Sequence, residues 1–116
     1  MKRTGLLVAA VVFVALWVSG TAHSADVHDG TIVAVRPDNY SGGGVFIRVT
    51  GAFSGPSACS YPNGDINWYF ITINNALMKE LLAAALAAKS TGSTVTVVGT
   101  GVCTQGYEDV RYIEVD

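Results

Sequence analysis

The hydrophobic and polar positions along the chain predict three strands, then one helix, then two more strands. Over positions 44–50, every second side chain is aliphatic. This alternation is typical of a strand with one buried face. The apolar face of this strand carries Val45, Ile47 and Val49. Runs rich in β-branched and aromatic residues predict strands at 31–36, 68–73, 94–102 and 110–115. Asp29-Gly30 indicates a turn before the first strand, and Pro37 is expected to end that strand.

The predicted helix spans 76–89, a segment without Gly, Pro or a β-branched residue. Asn74 or Asn75 is expected to cap its start, and Gly92 to stop it. Its apolar stripe comprises Leu77, Leu81, Ala84 and Ala88, extended by Met78, Leu82 and Leu86. The stripe is wider than the arc of about 100° that packing on one side requires. Either alanine is present as the best helix former, or a second face of the helix packs on another subunit.

This β-β-β-α-β-β order predicts a mainly β fold with one helix, a five-stranded OB-fold barrel. Such barrels bind oligosaccharides or oligonucleotides along one face. Gly99 and Gly101 fall where a barrel strand would bend or bulge. We expect a single OB-fold domain over 25–116.

The N-terminal segment predicts a secretory signal peptide over 1–24. Lys2 and Arg3 precede an apolar run at 6–18, and small residues follow it. The run is shorter than the roughly 20 apolar residues of a membrane span, so we expect no span after cleavage and a secreted or periplasmic protein. Small residues favour cleavage after Ser24, and cleavage after Ala25 is the alternative.

Charge argues against nucleic acid as a partner. The chain carries 7 basic and 9 acidic residues, and loss of Lys2 and Arg3 leaves a net charge of −4. The remaining cations are Arg36, Arg48, Lys79, Lys89 and Arg111. They are scattered along the sequence, whereas phosphate backbones favour clustered Lys and Arg.

The two cysteines, Cys59 and Cys103, predict one disulfide in an exported chain. The closed loop would stabilise a small domain by about 4 kcal/mol on the chain-entropy model. A redox pair needs C-x-x-C spacing and a zinc site needs about four ligands, so we expect no metal and no cofactor.

The acidic and hydroxyl side chains do not form a recognisable catalytic motif, so we expect no enzyme. The carboxylates Asp65, Glu108, Asp109 and Glu114 show no spacing that fixes an acid–base pair, and we interpret them as solvated charges. No G-x-S-x-G elbow is present. The Gly42-Gly43-Gly44 run precedes a strand, which indicates a hairpin loop and not a phosphate cradle.

Aromatic side chains are the candidate ligand contacts, because their faces stack on sugar rings. Tyr40, Tyr61 and Tyr107 fall in predicted loops, and Trp68 and Tyr69 on a predicted strand. Alternatively, Trp68 and a neighbour belong to the core while the tyrosines cover the barrel ends.

The sequence resembles short exported bacterial OB-fold proteins and, more distantly, the B subunit of subtilase cytotoxin and related pertussis-like toxin B subunits. Three features carry this resemblance. They are Ser57-Ala58-Cys59-Ser60, the Ser90-Thr91-Gly92 helix end with the strand after it, and Asp29-Gly30 with its hairpin. The resemblance implies a pentameric lectin whose helices line a pore and whose rims hold sialylated glycans. The resemblance places Asp29 at the position where those subunits bind sialic acid through a serine. Asp29 is therefore a candidate contact, but a carboxylate there repels sialic acid.

These observations favour an exported, non-catalytic binding module that recognises a glycan or a protein surface. The alternative is a small periplasmic or envelope OB-fold protein, structural or stress-related, without a small-molecule ligand. Loop aromatics gathered on one rim would favour the binding module.

Overall fold

The structure, a computed structural model, describes residues 24–55, 59–64 and 66–116. The predicted signal peptide therefore lies outside the described residues, apart from Ser24. The strands are β1 (Asp26–Asp38), β2 (Gly44–Thr50), β3 (Phe53–Ser54), β4 (Trp68–Thr72), β5 (Val95–Thr104) and β6 (Tyr107–Val115). One helix, α1 (Met78–Thr91), follows β4, and single 3₁₀ turns lie at Tyr40–Gly42 and Pro62–Gly64.

Five strands hydrogen-bond in a closed ring, in the order β1-β2-β4-β6-β5 and back to β1. The β4–β6 pair is parallel and the others are antiparallel. The two-residue strand β3 pairs with the start of β1, Val27 opposite Phe53. The prediction of a mainly β fold with one helix after the third long strand is confirmed.

The core lies inside this ring and under α1. The predicted alternation of β2 is confirmed, since Val45, Ile47 and Val49 are all buried. The opposing side chains of the other strands and of α1 are Val27, Ile32, Tyr69, Ile71, Val95, Val97, Val110, Leu81, Ala85 and Ala88.

Strand β1 is longer than the predicted 31–36. Asp29-Gly30 does not form a turn before it; the register with β5 shifts between Val27 and Gly30, and Asp29 has a φ of 55°. An Asp tolerates this left-handed conformation, so the extra residue is accommodated as a bulge within the strand. Pro37 does not end the strand, because it still pairs with Val45.

The helix begins two residues later than predicted. Asn75 accepts a hydrogen bond from the Leu77 N–H at 2.9 Å, but this closes a turn before the first helical residue, Met78. Gly92 ends the helix as predicted, with a φ of 68° and its N–H donating to the Ala88 carbonyl. The predicted stripe is partly wrong, since Leu77 and Leu86 are half exposed.

The predicted disulfide is confirmed: Cys59 and Cys103 are bridged, with their Cα atoms 5.5 Å apart. It ties the segment between β3 and β4 to β5. Within the described residues, no helix is long and apolar enough to cross a membrane.

Candidate ligand-binding site

An aromatic cluster covers the face of β2 and β4 that points away from the core. Phe46 pairs with Phe70 across the two strands, and their ring centroids are 4.5 Å apart. Trp68 lies two residues along β4, on the same face by the period of a strand, and its ring meets Phe46 edge-on at 6.0 Å. Phe46 is 3 % exposed although it faces outward. Other side chains must therefore cover it.

Two tyrosines from the chain segments around this face supply part of that cover. Tyr40, in the 3₁₀ turn between β1 and β2, has its ring 5.5 Å from Phe46 and 5.6 Å from Phe70. Tyr107, at the start of β6, packs edge-on against Phe46 at 5.2 Å. Tyr61 joins the cluster through Tyr107, at 6.3 Å. Four of the six predicted ligand residues, Tyr40, Tyr61, Trp68 and Tyr107, thus converge in space.

Arg36 completes the cluster from β1, where it pairs with Phe46 in the β1–β2 register. Its Cζ lies 4.7 Å from the Phe46 ring centroid and 5.1 Å from that of Trp68, within cation–π range. Its Nε donates to Asp38 at 3.2 Å. The side chain is still 56 % exposed, so a ligand can reach the guanidinium.

Arg36, Phe46, Trp68 and Tyr107 line an open cleft of about 170 Å³. A cleft this small suits one ring of a larger ligand and not a whole drug-sized molecule, whose pockets start near 300 Å³. It combines aromatic surface with the N–H donors of a guanidinium. Chemically, it can hold an apolar ring face while donating hydrogen bonds to hydroxyl or carbonyl oxygens at the ring edge.

Tyr69 and Asp29 do not join this cleft. Tyr69 is fully buried on the core face of β4, where its hydroxyl donates to the Ala25 carbonyl at 2.6 Å. Burial, with the nearby Glu108, raises the pKa of the Tyr69 hydroxyl well above its usual value near 10. Asp29 is exposed at the β1 bulge and is not among the residues that line the cleft.

The carboxylates interpreted as solvated charges have different roles. Glu108 is fully buried, so its interpretation as a solvated charge is wrong. Asp109 accepts hydrogen bonds from the Thr72 N–H and the Asn75 side-chain amide, which holds the turn before α1 against β6. Asp65 lies outside the described residues, and Glu114 is exposed.

Sequence reasoning missed Arg36, Phe46 and Phe70 as members of the site. The period of two in β2 and β4 could have placed the two phenylalanines on the face opposite the core. Arg36 had no such signal, because its position over Phe46 depends on the pairing register of the hairpin. Within the described parts of the chain, no group of three His, Cys, Asp or Glu residues could hold a metal ion.

Comparisons with protein-family models, with curated proteins and with solved structures return no match for this chain. They do not link it to toxin B subunits.

Proposed function

We propose that this chain is an exported OB-fold module that binds a glycan through the cleft of Arg36, Phe46, Trp68 and Tyr107. The order of the closed ring and the helix between its third and fourth strands support this fold. OB-folds bind ligands on the face of their second and third strands. In the ring these are β2 and β4, the strands that carry the aromatic cluster.

The observation that carries the proposal is the exposed guanidinium beside an aromatic cluster. The C–H face of a sugar ring stacks on an aromatic side chain, while its hydroxyl oxygens accept hydrogen bonds from Arg N–H groups. Trp68 and Tyr107, which line the cleft, are both partly exposed, so an aromatic ring face is available to a sugar. Oligonucleotides use the same face in other OB-folds, but the net negative charge opposes them here.

The test begins with a glycan array probed with the exported protein, followed by titration of any hit. Trp68 is the only tryptophan after position 17 in the sequence, so its fluorescence reports directly on the cleft once the leader is removed. Trp68→Ala should weaken binding about ten-fold, equivalent to about 1.4 kcal/mol. Arg36→Gln should weaken it as well, because it removes the charge and several donors.

Tyr112→Ala is the matched control, since Tyr112 is an exposed aromatic residue of β6 outside the cluster. Equal losses in Trp68→Ala and Tyr112→Ala would place the glycan elsewhere. An array without any hit at millimolar protein would refute glycan binding and favour the structural or envelope role.

As a second candidate, we propose assembly into a homo-oligomer through α1, as the resemblance to pentameric toxin subunits implies. Leu86 on α1 is 49 % exposed, and Ala83 and Ala87, three residues before it and one after it, are exposed as well; Leu77, just before α1, is 50 % exposed. Small residues let helices approach closely, and the oligomer would cover this apolar surface.

A further inference from the structure

The buried carboxylate of Glu108, on β6, holds the backbone at the start of the described chain. The Ala25 N–H lies 3.1 Å from one Glu108 carboxylate oxygen and 3.2 Å from the other. The Gly101 N–H donates to the second oxygen at 3.0 Å. Glu108 is fully buried and Ala25 is 3 % exposed, so these contacts form in the interior.

Ala25 is fixed on its other side as well. Its carbonyl accepts the 2.6 Å hydrogen bond from the Tyr69 hydroxyl. The next residue, Asp26, accepts hydrogen bonds through Oδ1 from the Ser24 hydroxyl at 3.0 Å and from the Gly99 N–H at 3.4 Å. The nitrogen of Ala25 is thereby held facing the Glu108 carboxylate.

We propose that this is a docking site for the chain's own α-ammonium group, which forms when the signal peptide is removed after Ser24. Hydrolysis of the Ser24–Ala25 peptide bond by a signal peptidase consumes one water. It leaves a carboxylate on Ser24 and an amine on Ala25, which takes up a proton from solvent. The inference rests on the predicted signal peptide and is independent of glycan binding.

The geometry suits an ammonium better than an amide. A peptide N–H has one hydrogen, which the two nearly equidistant oxygens of Glu108 have to share. An α-ammonium has three, so each oxygen can receive its own charge-assisted hydrogen bond. Pairing with a cation also offsets part of the desolvation penalty of a buried carboxylate.

The surroundings of the site also favour a cation. The charged and titratable groups that act on Tyr69, whose hydroxyl donates to the Ala25 carbonyl, are Glu108 on β6, Tyr61 before β4 and Asp26 on β1. Two of these three groups are carboxylates. The site further distinguishes the two cleavage positions. Cleavage after Ala25 would remove the residue whose nitrogen contacts Glu108, and cleavage after Ser24 places the new amine on it.

The test uses the full chain exported with its own leader. Intact mass should show a mature protein that begins at Ala25. An amine-acylating reagent at pH 7 labels α-amines in preference to lysine side chains, because a free α-amine has a pKa of about 8 and a free lysine amine one of about 10.4. We expect the α-amine of the folded protein to react at least ten-fold more slowly than in the urea-unfolded protein.

Glu108→Gln should raise the labelling rate of the folded protein about ten-fold, and Glu114→Gln, an exposed carboxylate on the same strand, should leave it unchanged. Circular dichroism establishes that each variant is folded. Should Glu108→Gln fail to fold, the pH profile of the native protein decides. Free α-amines have a pKa of about 8, and docking raises it, so the stabilisation is complete below about pH 8 and is lost as pH rises through the higher folded value. The thermal midpoint should therefore fall between about pH 8 and 9.5.

A mature chain that begins at any other residue overturns the proposal. So does an α-amine that reacts equally fast in the folded and unfolded protein, or a thermal midpoint that is flat between pH 8 and 9.5.

Discussion

Replacing Gly99 by alanine should strongly destabilise the protein through Glu108. The Cβ of an alanine at position 99 would lie 2.5 Å from the Glu108 Cδ and 3.0 Å from its Cγ. A flexible side chain at the surface could swing away from such a contact. Glu108 cannot do so freely, because it is fully buried and accepts hydrogen bonds from Ala25 and Gly101.

The magnitude follows from those two hydrogen bonds. A hydrogen bond to a charged group contributes about 1.5–3 kcal/mol, so losing both costs about 3–6 kcal/mol. The lower entropy of the unfolded alanine variant offsets about 0.4–1 kcal/mol. The net loss of about 2–5.6 kcal/mol corresponds to a drop of at least about 8 °C in the thermal midpoint, at about 4–8 °C per kcal/mol for a domain of this size.

The assay is urea unfolding of Gly99→Ala, of Glu108→Ala and of the double variant. Glu108→Ala alone should be destabilising, because it leaves buried N–H groups unsatisfied. Adding Gly99→Ala to that background should cost less than 1 kcal/mol, since the obstructing side chain is gone. Full additivity of the two losses would refute the steric reasoning, as would a single Gly99→Ala variant as stable as the native protein.

Three further outcomes are expected. Reducing the Cys59–Cys103 disulfide should lower the free energy of unfolding by about 4 kcal/mol, measured by urea titration with and without reductant; an unchanged midpoint would contradict the chain-entropy estimate. The raised pKa of Tyr69 means that its contribution to stability is complete below about pH 10 and is lost at higher pH, so the urea midpoint should fall between about pH 10 and 12, and Tyr69→Phe should flatten that decline. Sedimentation at micromolar concentration should show an oligomer that Ala83→Glu and Ala87→Glu dissociate; a native chain that sediments as a monomer would leave α1 without a partner face.

The sequence predicted elements well wherever the pattern was local. Strand β2 matches its predicted bounds because its alternation is set by its own residues, and Gly92 stops α1 because its backbone freedom is a property of glycine alone. The bulge at Asp29 was missed because it appears only in the register with a neighbouring strand.

The residues of the candidate site also fall into two groups, those that the sequence could identify and those whose position depends on strand pairing. Tyr40, Trp68 and Tyr107 were identifiable as aromatic residues in plausible positions. The stacking of Arg36 on Phe46 was not, because it depends on the cross-strand register of β1 and β2. The burial of Glu108 was the hardest feature to predict from the sequence, since its partner Ala25 lies 83 positions away.

The place of β1 in the ring has a consequence for how the chain folds as it is synthesised. Val27 pairs with Val97, so one neighbour of the first strand is encoded in the last quarter of the sequence. A chain that emerges with its N-terminus leading would complete the β1–β2 pair early, and the other edge of β1 would stay open until β5 is available. Such an edge can pair with another chain during that interval. Long-range pairing also slows folding, so aggregation before the ring closes should depend on how quickly β5 pairs with β1.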